Sequence, residues 1–557
     1  MWIRLGDKIL LCAIILLLAA EFGFSYGIDN QNTYLIKGLT RIHPGLLKHD
    51  WFASSTIHYH SSFVMITVLA AMTGYIGWTM ALLNWILIAT AFWSVYRLFV
   101  LLLPTHGKTG FYLLAGFVLL DRTWSAGGSF IHHAIFQPSS LAATLTLVAI
   151  LFFVQARYLL SGIALALAGF FHTNFLLLGF PYWGVAHLLL GRDRFFPRIL
   201  QQHGLSLILL IVQLPFLIKM GHGLNVELSR HIFLVIRSPH HYLPLTYLRE
   251  FLPLMGWGML GLVSIGRIQI EDGLHRRFWA LYFSFLFLLL GATLLTTAVF
   301  VPFVSQLYFW RMAPFFVVLA QVSFITYCIT AWGVKEATEK RISVLDVMAL
   351  LFGFLLIAWY NMSAFKILHY RTLLTFGGLL LLMIGPILEW RQRSTFVGVR
   401  SAWIGGLALA WLAILFPLSY GSFIQHSSLL NGSPGEQEKA LYAWGRQSPL
   451  DSIFLISPDM EDFRLQTERA VVVDWKSTPI DPDGLIEWYR RVGDVAGNHQ
   501  VKSLEEAVKG YAGITQKRIL ELQQKYQANF VVVYRKNTTN IPLPIAFENE
   551  KFIIYRL

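Results

Sequence analysis

Several carboxylates stand where an apolar run gives way to a polar loop, a position suited to proton transfer or metal chemistry beside a lipid headgroup. Asp29 is the first of them, in Gly27-Ile28-Asp29-Asn30-Gln31-Asn32 directly after the first apolar run. There it can deprotonate an acceptor hydroxyl or hold a metal ion. The ordinary alternative is a helix-capping residue, since Asp-Asn opens turns and helices readily. The same loop carries Arg41-Ile42-His43-Pro44, Lys48-His49-Asp50 and His58-Tyr59-His60. Asp50 beside His49 is a candidate acid–base pair, whereas these histidines lack the tight Cys/His spacing of a zinc site.

Further along, Asp121-Arg122 ends an apolar run ahead of Gly127-Gly128 and His132-His133. Ionisable groups at membrane depth are expensive, so the pair is either functional or a snorkelling helix end. Glu227 is a further outer carboxylate, and His240 and His241 are candidates for contact with a phosphate or a sugar. Adjacent histidines point in different directions on any regular element, which argues against joint metal ligation. Arg311, after Trp310, opens another apolar run. A guanidinium at headgroup depth can grip phosphate bidentately, and Trp-Arg serves equally as an interfacial anchor.

The elements that must position these groups are membrane helices. Of 557 residues 56% are hydrophobic and 13% charged, with a mean hydropathy of +0.57, outside the range of a soluble globule. Aromatic residues at 15%, including 18 Trp, suit two interfacial belts. The net charge of +13 does not indicate nucleic acid, because of where it lies. Residues 425–557 hold 16 Lys/Arg and 17 Asp/Glu, leaving 28 basic and 14 acidic residues in the apolar part. Basic loops orient a polytopic protein and meet anionic lipids. Cys12 and Cys328 both lie in apolar runs and staple nothing.

Met1–Lys8 precedes an apolar run from Ile9 with no small-residue cleavage site after it, which reads as an uncleaved first span with Arg4 and Lys8 inside. Taking the clusters around Lys108, Arg157, Arg192, Arg267, Lys335 and Arg391 as cytoplasmic predicts spans at 9–27, 81–103, 109–121, 138–156, 158–172, 175–191, 203–218, 250–266, 278–300, 312–333, 343–361, 372–389 and 402–419. That makes an α-helical polytopic membrane protein of about 13 transmembrane helices. Residues 62–78 read as a membrane-lying or re-entrant helix, and 158–191 as a hairpin turning at His172-Thr173-Asn174. The long polar segments then fall outside. Residues 1–424 form the transmembrane domain, with outer loop 28–80, and 425–557 a soluble extracytoplasmic α/β domain. Its strands are expected at 452–457, 470–475, 530–534 and 552–555, with helices near 434–447, 484–492 and 514–526. With no nucleotide loop and no nucleophile elbow, this tail reads as structural or acceptor-binding.

A long outer loop with a carboxylate right after span one, a further outer acidic residue, many spans and an external α/β tail together resemble the GT-C superfamily of integral-membrane glycosyltransferases. That superfamily includes oligosaccharyltransferases, protein mannosyltransferases and the aminoarabinose transferase. The family's acidic residue of the first outer loop corresponds to Asp29, then Asp50, and its second to Asp121 or Glu227. His43-Pro44 is followed by Gly45-Leu46 where some mannosyltransferases have two acidic residues, and no Trp-Trp-Asp motif is present. The resemblance extends to bacterial polytopic proteins with a similar tail.

The resemblance implies a polyprenyl-phosphate-linked sugar as donor, held among membrane lipids with its phosphate at Arg311 or Arg122, and an outer carboxylate that activates the acceptor. Some members hold a divalent cation at their carboxylates and others do not, and metal use stays open here, as does the acceptor. The readings from other classes are a transporter or flippase and a non-catalytic scaffold. For a carrier, Glu21, His187 and Asp346 are sparse mid-membrane candidates.

Overall fold

In the computed structural model, residues 2–56, 60–120, 126–268, 270–333, 343–364, 434–537 and 541–557 are described, with scattered positions between 373 and 413. Long apolar runs become helices, two of them with an interior proline (Pro181 and Pro215): Trp2–Phe22, Ile76–Leu102, Gly107–Leu120, Pro138–Val154, Tyr158–Phe171, Thr173–Leu189, Phe195–Met220, Phe251–Ile265, Asp272–Thr297, Ala313–Gly333 and Val344–Ala364. Among the described residues six helices are long and apolar enough to cross a bilayer by themselves. This is an integral membrane protein. The expected spans from the first through the eleventh coincide with these helices to within several residues at their ends, whereas 372–389 and 402–419 lie, scattered positions apart, outside the described residues.

Position in the bundle follows from each helix's surface. Ala313–Gly333 is apolar all round, with Phe315, Phe316, Leu319 and Phe324 at 2% exposure or less, and it forms the centre. Phe195–Met220 leaves Leu207, Ile208, Ile211 and Val212 exposed, a face suited to lipid. The hairpin is present, and His172 alone joins Tyr158–Phe171 to Thr173–Leu189. Gly162 lets the first of these helices close on Phe195–Met220, because a Cβ there would stand 2.4 Å from the Gln202 carbonyl oxygen. Ser61–Met72 is a separate 12-residue helix, about 18 Å long and too short to cross. Gly74, at φ +72°, turns the chain into Ile76–Leu102, so that span starts earlier than the hydropathy indicates.

The tail carries a five-stranded sheet in the order β2-β1-β3-β5-β4. Its strands are β1 Ile453–Leu455, β2 Ala470–Val471, β3 Phe530–Tyr534, β4 Ile545–Glu548 and β5 Phe552–Arg556. β1 runs parallel to β2 and β3, while β3–β5 and β5–β4 are antiparallel. Alternation divides the side chains: Val531 and Val533 pack with Trp488 and Tyr511 on one face, and Phe530 and Val532 with Phe463 and Leu441 on the other. Both faces are covered. The sequence misses β4, a half-exposed edge strand, and the helices Phe463–Thr467 and Leu504–Ala512.

The tail is locked to the segment that follows the first helix by a buried ion network. Asp50 caps the helix Trp51–Ser55 by accepting from Ala53 N at 2.8 Å. Its other oxygen takes Arg464 Nε at 2.8 Å and Val471 N at 3.0 Å. Arg464 also pairs with Asp474 and donates to Ser477 Oγ at 2.5 Å. The three charged side chains are at most 2% exposed. Removing one partner of such a network strands the others without water, at roughly 3–5 kcal/mol. Asp50→Ala should therefore loosen the tail by that order, measured as faster amide exchange in 450–480 with the membrane helices unchanged. Unaltered exchange would remove the network as the anchor.

Candidate functional site

Between the tail and the membrane helices lies a cavity of about 690 Å³. The segment between Trp2–Phe22 and Ser61–Met72 contributes Asn30, Thr33, Tyr34 and His60, and the hairpin turn contributes His172 and Asn174. Arg230, Arg237 and His240 come from the chain after Phe195–Met220, Tyr308 and Arg311 from the turn before the central helix, and Glu461, Lys476 and Thr478 from the tail.

Arg311 sits on the short turn Phe309–Met312 that opens onto Ala313–Gly333. Its guanidinium lies 4.6 Å from the Tyr308 ring centre and 5.7 Å from that of Phe175. Cation–π contact orients a guanidinium without neutralising it. Among the described residues no carboxylate pairs with Arg311, and its Nε is buried without a hydrogen-bond partner. Arg230 Nε is in the same condition. Arg237 donates to Thr478 Oγ1 at 2.8 Å, tying the tail to this wall.

Asp29 stands at φ +52°, and its carboxylate pairs with Lys476, which lines the cavity. His240 and His241 also border it. His241 Nδ1 lies 2.7 Å from the Gly127 carbonyl and 3.2 Å from Tyr308 Oη. The Gly127-Gly128 turn has φ near +70° at both residues, and a Cβ on Gly128 would stand 3.2 Å from the His241 ring, so the glycines are required by backbone and by space. Burial pushes His241 down to about 3, helped by His240, and lowers His240 below its ordinary value. Both imidazoles are neutral at pH 7, fit for hydrogen bonds to hydroxyls.

The expected site residues therefore divide. Asp29, through Lys476, joins His240, His241 and Arg311 at the cavity. Asp50 is wholly buried in the tail anchor, and Glu227 is exposed; neither lines the cavity. Asp121 and Arg122 lie outside the described residues. Asp346, one of the carrier candidates, pairs with Arg267. Among the described residues no group of three or more His, Cys, Asp or Glu side chains is arranged to hold a metal ion.

Sequence reasoning missed Arg230, Arg237, Glu461 and Lys476 as cavity residues. Burial, with added repulsion from Asp474 and Asp29, outweighs Lys476 and Arg237 and pushes Glu461 up to about 7. The one local signal was the density of charge in 461–476 around a buried strand.

Residues 436–495 match the family model of a domain of unknown function, DUF6798. No curated protein matches the chain in sequence. Among solved structures, the chain is similar to ArnT from Cupriavidus metallidurans bound to undecaprenyl phosphate, at 13% identity and a TM-score of 0.50, over 99% of this chain and 98% of that one. The same protein in the apo state aligns at 13% identity and a TM-score of 0.49, over 100% and 97%. The match to the lipid-bound structure runs the whole length and shows a shared fold. The architecture expected from the sequence is borne out, as an α-helical membrane bundle with a small sheet-containing region at its C-terminal end.

Proposed function

We propose that this protein is a membrane glycosyltransferase, which takes a sugar from a polyprenyl-phosphate-linked donor and transfers it to an acceptor at the outer face of the membrane. The observation that carries this reading is Arg311, a half-buried guanidinium in the cavity wall with no carboxylate partner among the described residues. A cation left in that state calls for an anion from outside the chain, and a phosphate matches its planar fork. Arg230, Arg237 and Lys476 add positive charge around the cavity, against Glu461 as its acidic lining residue. The undecaprenyl phosphate bound to ArnT, a protein of the same fold, supports a lipid phosphate of this class as the occupant.

In this reading the polyprenyl chain lies among the apolar helices and its phosphate rests on Arg311, with the neutral His240 and His241 facing the sugar hydroxyls. Asp29 is the catalytic carboxylate, acting at the anomeric carbon. The tail, residues 425–557, lies outside the cytoplasm.

Arg311→Ala should weaken undecaprenyl phosphate binding by about 10- to 100-fold, the value of a lost charged hydrogen-bonding group. Arg311→Lys should recover only part of it, because the fork is gone; unchanged binding of both variants in a lipid-disc titration would unseat Arg311. Asp29→Asn keeps the side chain's shape and removes its charge, so binding should persist while turnover falls about 100-fold or more, the scale of a lost electrostatic contact in the transition state. Full activity in that variant would move the role elsewhere. Alkaline phosphatase fused after Leu557 should be active, and an inactive fusion of normal abundance would reverse the topology.

A further inference from the structure

We propose that Glu461, a tail residue, is the group that takes the proton from the acceptor, and that the acceptor is accordingly a hydroxyl compound. This deepens the glycosyl-transfer reading and rests on it. Among the described residues that line the cavity, Glu461 is the carboxylate, whereas Asp29 is held by Lys476 at its margin. Asp462, next in the chain, accepts from Asn32 Nδ2 at 2.5 Å, and Asp474 is consumed by Arg464 and the backbone of Ser477. Among the described residues no hydrogen-bond donor holds Glu461. Its carboxylate is available to a ligand.

The groups around Glu461 come from every element packed there. Lys476 and Asp474 stand on the turn after β2, Asp462 beside it, Arg237 and His240 on the chain preceding Phe251–Ile265, and Asp29 on the outer loop. Burial dominates their sum and moves the Glu461 carboxyl up to about 7. A base poised near the working pH combines availability with driving force. Two carboxylates in unlike surroundings thereby acquire separate tasks, one taking a proton and one supplying fixed charge.

The step balances. The acceptor hydroxyl gives its proton to a Glu461 oxygen, and the acceptor oxygen's electron pair forms the new bond to the anomeric carbon. The bond from that carbon to the phosphate oxygen breaks, and its electron pair stays on the phosphate. The polyprenyl phosphate leaves with one more negative charge, beside Arg311, while Asp29 offsets positive charge gathering at the anomeric carbon. Glu461 then passes its proton to water. The segment matched by the domain of unknown function would thus supply a reacting group, where the sequence alone indicates a structural or acceptor-binding tail.

The test uses the full chain in lipid discs and a panel of synthetic undecaprenyl-phosphate sugars, with released undecaprenyl phosphate measured from pH 5 to 9. Wild-type turnover should rise with pH through about 7, because only ionised Glu461 can accept the proton. Glu461→Gln should lose about 100-fold in turnover together with that rising limb, while undecaprenyl phosphate binding persists. Asp29→Asn should lose turnover and keep the limb, moved to lower pH because a repelling charge has gone. Glu461→Asp should restore part of the rate and a limb. A Glu461→Gln protein with the wild-type rate, or with the limb intact, overturns the proposal and leaves the glycosyl-transfer reading standing. A wild-type chain that neither binds undecaprenyl phosphate nor releases it from any donor removes that reading, and the proposal with it.

Discussion

Arg464 bridging Asp50 and Asp474 is the interaction on which the rest of the molecule depends. All three side chains are out of water, and an ion so placed is tolerable only when its partners are close and its hydrogen bonds are satisfied. The guanidinium meets both conditions: Nε goes to Asp50, while another nitrogen serves Asp474 and Ser477. Asp50 belongs to the segment after the first helix and Asp474 to the turn that leads into Lys476. One buried cation, with the lesser ties from Arg237 to Thr478 and from Asn32 to Asp462, therefore holds the tail on the membrane part and its turn against Asp29.

The cavity is a product of that docking. Neither half encloses it alone, since its walls alternate between loops of the membrane part and the tail. Its charge pattern favours an anion: Arg230, Arg237, Arg311 and Lys476 face it, the histidines are neutral, and Glu461, pushed up to about 7, carries only part of its charge at pH 7. Its position beside helices with lipid-facing surfaces favours a ligand that is part phosphate and part hydrocarbon. A free nucleotide-sugar would use the charge and leave the apolar margin idle.

Much of the fold is legible in the sequence because burial in lipid leaves a strong local signal. Apolar length gives the helices, and the Val/Ile/Phe runs of β1, β3 and β5 stand out against polar neighbours. The signal fails at Ile76, where an apolar helix follows a short apolar one with only Thr73-Gly74-Tyr75 between them. It fails again at β4, whose exposed edge resembles a loop. The site is less legible, because its groups are joined across the chain. Asp50 lies 414 residues from Arg464, and nothing beside it separates an acid–base partner of His49 from a buried anchor. Arg311 was visible because Trp-Arg at the head of a span is itself a local pattern. Lys476 and Glu461 acquire meaning only after the tail has docked.

A polyprenyl phosphate in the cavity at this junction can be seen directly. The most direct measurement is a cryo-electron microscopy map of the full chain in lipid discs with undecaprenyl phosphate added. Phosphate density should stand within about 3 Å of the Arg311 guanidinium, the reach of a charged hydrogen bond, with the hydrocarbon running out between helices. Lipid density confined to the outer helix surfaces, with the cavity empty at saturating undecaprenyl phosphate, would contradict it.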